Sequence, residues 1–153
     1  DFVKLVSSGT VEKAAVTTAV VAGTVGIFVG CSYTDPSTNQ LTFNQQFPAS
    51  TAASDIMAYV VDDPKLVFKM QGDEAIAQTG LGNNVSAVNT AGSTTIGRSR
   101  NALDGGSIAT TNTLPLRILE FVDGPDSTVG DAFTDCLVTY LPLSHAYETK
   151  LGV

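Results

Sequence analysis

Between Val25 and Gly72 the chain reads VGIFVGCSYTDPSTNQLTFNQQFPASTAASDIMAYVVDDPKLVFKMQG. Four runs rich in β-branched and aromatic residues are cut by Asp35-Pro36, Pro48 and Asp62-Asp63-Pro64. Proline presets φ and removes a backbone donor, and aspartate bonds its local main chain, so each cut is a turn. The runs between them are of strand length: 25–33, 41–47, 56–61 and 66–70. The stretch Thr34–Gln40 makes the first two a hairpin flanked by Tyr33 and Phe47. Gly26 and Gly30, inside a β-rich run, predict sharp bending or close backbone approach, such as the corners of a small barrel require. The segment has two basic residues, Lys65 and Lys69, and no arrangement for catalysis. What it builds is a surface.

The flanking sequence extends the β pattern. Phe2–Val6 alternates as a strand, Ser7-Ser8-Gly9 turns, and Val11–Val16 is a second short strand. Leu114–Val122 and Ala132–Leu141 are strands separated by the Asp123–Asp126 turn, and Pro142 ends the last. Asp73–Gln78 is expected to form one or two helical turns, with Asp73 and Glu74 at the favourable N-terminal end. From Thr79 to Thr113 the chain is dominated by Gly, Ser, Thr and Asn. Thirty-odd residues without clear structure are unusual inside a compact domain. Short edge strands are expected there, around Val85–Val88 and Thr94–Ile96, with the excursion packing on a neighbouring subunit. No internal repeat and no sustained 3.6-residue period appears. The expectation is one mainly β domain over residues 1–153, a barrel or sandwich with a long polar loop insertion at 79–113.

A chain of 153 residues can bury a substantial core without staples. Charged residues make up only 15%, against about 25% in a typical domain, and Ser, Thr, Asn and Gln supply the remaining polarity. Such a surface suits contact with other protein. The net charge is -7, and the eight basic residues are scattered, with Arg98 and Arg100 the one close arginine pair. Phosphate neutralisation needs clustered Lys and Arg, so no nucleic acid and no anionic membrane is expected as a partner. The start of the chain lacks a basic stretch followed by an apolar core, so no signal peptide is read. The apolar run Ala14–Val29, interrupted by Thr17, Thr18, Thr24 and two glycines, is too short to span a bilayer. A start at Asp1 without methionine reads as processed, or as having its true N-terminus upstream. A Cys31–Cys136 disulfide would close a loop of about a hundred residues, worth up to ~4–5 kcal/mol. Two buried free thiols are the preferred reading, because cysteine behaves as a small hydrophobe.

Few side chains suggest chemistry. His145, the only histidine, has Glu148 three residues on, but no nucleophile motif accompanies the pair; a surface or interface histidine is expected. One histidine and two distant cysteines cannot make a zinc site. Gly80-Leu81-Gly82 lacks the Lys-Ser/Thr of a P-loop and the third glycine of a dinucleotide fingerprint, and reads as a turn. Asp62-Asp63, Asp104 and Asp123/Asp126 carry oxygens suited to Ca²⁺ but lack EF-hand spacing, and also read as turns. Asn84-Val85-Ser86 fits a glycosylation acceptor, which matters only on a secretory route. Arg98-Ser99-Arg100 reads first as a solvated pair in a loop, and second as bidentate partners for carboxylates on another protein. No catalytic residue, cofactor or metal is therefore expected.

One succession of segments resembles a known family. In order along nearly the whole chain it runs DFVKLVSSG, VGIFVGCSYTDP, FPASTAASDIMAYVVDDP, AIAQTGLG, GSTTIGRS, SIATTNTLPLRILEFVDGPDSTVGDAF and HAYETKLGV. The succession, rather than any one motif, resembles the capsid decoration (cement) proteins of tailed bacteriophages. The resemblance implies a small β-rich, β-tulip-like domain, often a homotrimer, on the outer surface of an icosahedral head. It would bind the major capsid protein and clamp adjacent subunits, and an N-terminal arm would precede Asp1. No catalytic residue carries over. The expected subunit or capsid contacts are Phe2, Val3 and Leu5 of the first strand, together with Arg98 and Arg100, because neither segment looks able to bury itself locally. Three rival readings stand beside this one. A tail or baseplate β-domain is the nearest. A glycan-binding module would usually present aromatic platforms, yet there is no Trp and aromatics are 7%. A β-hydrolase would need a nucleophile–base pair or a carboxylate dyad.

Overall fold

A computed structural model describes residues 1–17, 23–93 and 95–149. It is a single mainly β domain of two antiparallel sheets facing each other like a sandwich, with no closed barrel. The first sheet contains β1 (Phe2–Leu5), β2 (Val11–Lys13), β3 (Thr24–Thr34), β4 (Leu41–Asn44) and β5 (Met57–Val61). The second contains β6 (Val67–Gln71), β7 (Asn84–Val85), β10 (Leu116–Phe121) and β11 (Asp135–Tyr140), in the order β6-β11-β10-β7. A small ladder joins β8 (Ala87–Val88) to β9 (Ala102–Leu103).

β3 organises the first sheet. Ile27 pairs with both Phe2 and Val61, and Cys31 pairs with both Asn44 and Ala58. β1 and β4 therefore follow one another along one edge of β3, and β5 runs along the other. The β3–β4 hairpin closes as its sequence predicts: Asp35 Oδ1 accepts the Ser37 N–H at 2.7 Å, and Asn39 takes φ 55°. Gly26 and Gly30 are places of close approach rather than barrel corners. A Cβ at Gly26 would lie 2.0 Å from the Val61 carbonyl oxygen, and one at Gly30 would lie 2.9 Å from that of Asn44.

The core lies between the first half of β3, with β1, and the inward side of the second sheet. Alternation places Leu116 and Ile118 of β10, and Cys136, Val138 and Tyr140 of β11, on one face. Register aligns them across strands, with Phe68–Val138–Ile118 as one row and Tyr140–Leu116–Val85 as the next. Phe2 completes this cluster, its ring edge-on to Phe68 at 5.8 Å and to Tyr140 at 6.1 Å.

That placement corrects the expectation that 2–6 cannot bury itself. Phe2 and Val3 are 3% and 5% exposed within their own chain, and Leu5 is half-buried. The polar excursion is corrected in the same way over part of its length. Val85, Ala87 and Leu103 are buried in the core, carried by β7, β8 and β9; β7 and β8 match the edge strand expected near Val85–Val88, while β9 was not expected. A strand at Thr94–Ile96 is not formed where the chain is described; residue 94 lies outside the described residues, and a Ser93–Arg98 bridge closes a turn instead. The end of the closing HAYETKLGV segment, 150–153, and part of the apolar run 14–29, 18–22, also lie outside them. The helical turns expected at Asp73–Gln78 give way to a 3-10 turn at Gln78–Gly80. The backbone donors there are drawn elsewhere, Asp73 N–H to the Leu103 carbonyl and Ile76 N–H to the Thr134 hydroxyl.

Candidate functional site

The residues that carry chemistry are dispersed and mostly tied down. His145 is fully buried, which corrects the surface reading. Its ring stands edge-on to Tyr140 at 5.4 Å and Tyr147 at 5.0 Å, and Nδ1 accepts the Tyr147 N–H at 3.3 Å. Glu148 meets it through the backbone alone, its N–H donating to the His145 carbonyl. The local sequence, Leu143-Ser144-His145-Ala146-Tyr147, has no strand or helix period to mark this burial; two tyrosines from the strand end and the tail create it. Burial pushes the Tyr140 phenol well above its ordinary range, so it stays protonated.

Both cysteines are free and buried, as preferred from the sequence. Burial first, and the Asp135 carboxylate second, push the Cys136 thiol from 9.0 up to about 11, and burial raises Cys31 as well. A thiol held protonated is neither nucleophile nor metal ligand. Both are expected to stay silent to a thiol-directed reagent at about pH 8 until the chain unfolds; fast labelling of the native protein would overturn this. The raised pKa also fixes a sign. The folded chain holds the proton longer than the unfolded one, so this contribution to stability is intact below about pH 9. It is lost as pH climbs towards about 11, and Cys136→Ala should flatten that fall in urea-unfolding midpoints.

Asn84 is 4% exposed, and both ends of its side-chain amide are hydrogen-bonded. Nδ2 donates to the Thr111 carbonyl at 2.8 Å, and Oδ1 accepts from Arg117 Nε at 3.0 Å. The folded chain therefore does not offer this amide for glycosylation. Asp73, Glu74 and Asp104 bring carboxylates within 4.8 Å of one another. Two of them brace loops: Asp73 accepts the Gly105 N–H at 3.0 Å, and Asp104 accepts the Ser86 hydroxyl at 3.3 Å. Asp104 is thus brought together with two acids that the sequence pattern did not pair with it. Asp62-Asp63 and Asp123/Asp126 stay apart from this group.

What is organised is an apolar surface. β4 and β5 flank the second half of β3 as a three-stranded arm. One face of this arm displays Leu41, Phe43, Met57, Tyr59 and Val61, exposed by 63%, 65%, 63%, 45% and 37%. Parity makes this face the continuation of the core side, since Val61 pairs with Ile27, which packs on the core beside Phe2. The second sheet does not cover it. Ser32 sits between Phe43 and Met57 in one cross-strand row, only 6% exposed, with its hydroxyl 2.9 Å from that of Tyr59. The larger side chains close over the small one, so the patch is continuous. Together they form an apolar patch on the order of a few hundred Å², the range of the largest patches on monomeric proteins, which are often functional.

The free edges agree. Neither β4 (LTFN) nor β5 (MAYVV) carries a charge or a proline, the usual devices that blunt an edge strand. Arg98 and Arg100 are exposed and, among the described residues, make no ion pair. Of the contacts expected from sequence, these two remain at the surface, while Phe2 and Val3 do not. The opposite side of the arm borders a cleft of about 950 Å³ lined in part by Cys31, Ala58, Gly97 and Arg98. No helix among the described residues is long and apolar enough to cross a membrane. No family model, curated protein or solved structure matches the chain.

Proposed function

We propose that this chain acts by binding protein rather than by catalysis, as a virion structural protein on the outer surface of an icosahedral phage head. In that role it stabilises the shell by clamping adjacent major capsid subunits, as a homotrimer and without a cofactor. The observation that supports it is the contrast within one small domain. Exposed apolar side chains are gathered on a sheet face, while the histidine and both thiols are buried and the carboxylates brace loops. The succession of segments along the chain supplies the specific partner.

The mechanism is linkage. A protein that binds the assembled shell but not its separated subunits stabilises the shell by mass action, by about 2.7 kcal/mol at a hundredfold excess over Kd. Several linked copies gain further through effective concentration.

Heads assembled without the chain provide the test. Added protein should bind saturably, near one copy per major capsid subunit, and the loaded heads should survive heating longer. A handful of copies per particle would place the chain in the tail or baseplate. Failure to bind heads at all would sink the proposal.

A further inference from the structure

The arm is a slab with unlike sides. On its apolar face, the five exposed side chains are bounded at both ends by aspartates. Asp35 follows β3, and Asp55 caps the same end, accepting the Thr34 N–H at 3.1 Å and hydroxyl at 2.6 Å. Asp62 and Asp63 follow β5 at the other end, with Lys65 in the turn beyond. None of the four aspartates makes an ion pair among the described residues.

Loop residues 95–100 belong to the other side, where Gly97 and Arg98 share the cleft with Cys31 and Ala58, the residues of β3 and β5 that point away from the apolar face; Met57, at the strand end, reaches its rim. At the turn of this loop Ile96 is 66% exposed, with Arg98 and Arg100 beside it. Ser99 anchors the loop, its hydroxyl donating to the Asp1 carboxylate at 2.5 Å. One side of the domain thus offers an apolar patch with acidic ends, and the other an apolar knob with two exposed guanidiniums that make no ion pair among the described residues.

We propose that copies of this chain assemble head to tail, the apolar face of the β3–β4–β5 arm on one copy receiving the Ile96–Arg100 loop of the next. The occupant follows from complementarity: the loop carries the charge that the ends of the face lack, which a face-to-face pairing of two acidic rims would not supply. A patch on the order of a few hundred Å² also suits the apolar part of an interface of about 800 Å² per partner. Because the two surfaces lie on opposite sides, the contact is heterologous, and it forms a ring or an open stack rather than a two-fold dimer. The inference stands on the arm and the loop and not on the virion reading: a chain that assembles but ignores phage heads would overturn that reading and leave this interface intact.

Sedimentation velocity of the full chain tests it. The wild type should assemble with rising concentration, and added salt should weaken the assembly, as complementary charge requires. A face variant (Phe43→Asp with Met57→Asp) and a loop variant (Ile96→Asp with Arg98→Asp) alter exposed residues and should each be monomeric. Mixed, they should form a one-to-one dimer and nothing larger, since each retains one sound surface. That dimer also shows that both variants are folded. Arg100→Ala alone should weaken assembly at least about tenfold. A wild type that stays monomeric to roughly 1 mM overturns the proposal and leaves the face to a different, basic-rimmed protein. So does a mixture of the two variants that stays monomeric, or assembly that salt strengthens.

Discussion

Gly26→Ala is expected to lower the melting temperature by about 6–12 °C, the consequence of losing about 3 kcal/mol in a domain of this size. The added Cβ would stand 2.0 Å from the Val61 carbonyl oxygen and 3.1 Å from Asp62 Cα. Both atoms are main chain, so no rotamer change relieves the collision. β5 must retreat, and with it the Ile27–Val61 and Phe28–Val60 pairs. Movement the other way is blocked by β1, where Val3 pairs with Gly26. Gly124→Ala is the matched control. It has nothing within 4 Å of its Cβ, and its φ is not positive. A Gly26→Ala melting point within about 2 °C of the control would refute the close approach.

Phe2→Ala is expected to cost about 3–5 kcal/mol of unfolding free energy, the usual range for deleting a buried phenylalanine. The ring is 3% exposed and wedged edge-on against Phe68 and Tyr140, so its removal leaves a cavity between the sheets. Urea unfolding measures this. Phe43→Ala supplies the contrast. That ring is 65% exposed, so its truncation should change stability by no more than about 0.5 kcal/mol and act on assembly instead. A loss below about 1 kcal/mol for Phe2→Ala would return this residue to the surface role its position in the sequence suggests.

The difference between these two phenylalanines shows where sequence reading stops. Both sit in short alternating runs, FVKL and LTFN, and alternation states only that one side of a strand is apolar. Turns were legible because their causes are local. Asp35 bonds the N–H two residues on, and Asp63 does the same for Lys65 at 2.8 Å. Gly26 and Gly30 were legible only as points of bending or close approach; that they are close approaches and not barrel corners, and which strand approaches, was not. The polar excursion was only half legible: two-residue strands such as Asn84–Val85 and Ala102–Leu103 are too short for any period, yet Val85 and Leu103 are fully buried. His145 was misjudged for a related reason. Its run is short and follows Pro142, and the ring that closes it in from a distance, Tyr140, belongs to the end of β11. Of the contact residues named from sequence, Arg98 and Arg100 stay exposed on a turn that Ser99 ties to Asp1 while its other side chains remain in water.

By itself the sequence determined the class of fold, the positions of most strands, the hairpin turns and the burial of two unpaired thiols. All of these follow from propensity, local hydrogen bonding and side-chain polarity. The tertiary structure alone decided which apolar sides are covered. The first sheet is longer than the second, so the side that buries Phe2 and Ile27 continues past the core and leaves Leu41, Phe43, Met57, Tyr59 and Val61 in water. Coverage depends on how far a second layer extends, a distance between elements remote in the chain, and no local pattern encodes it.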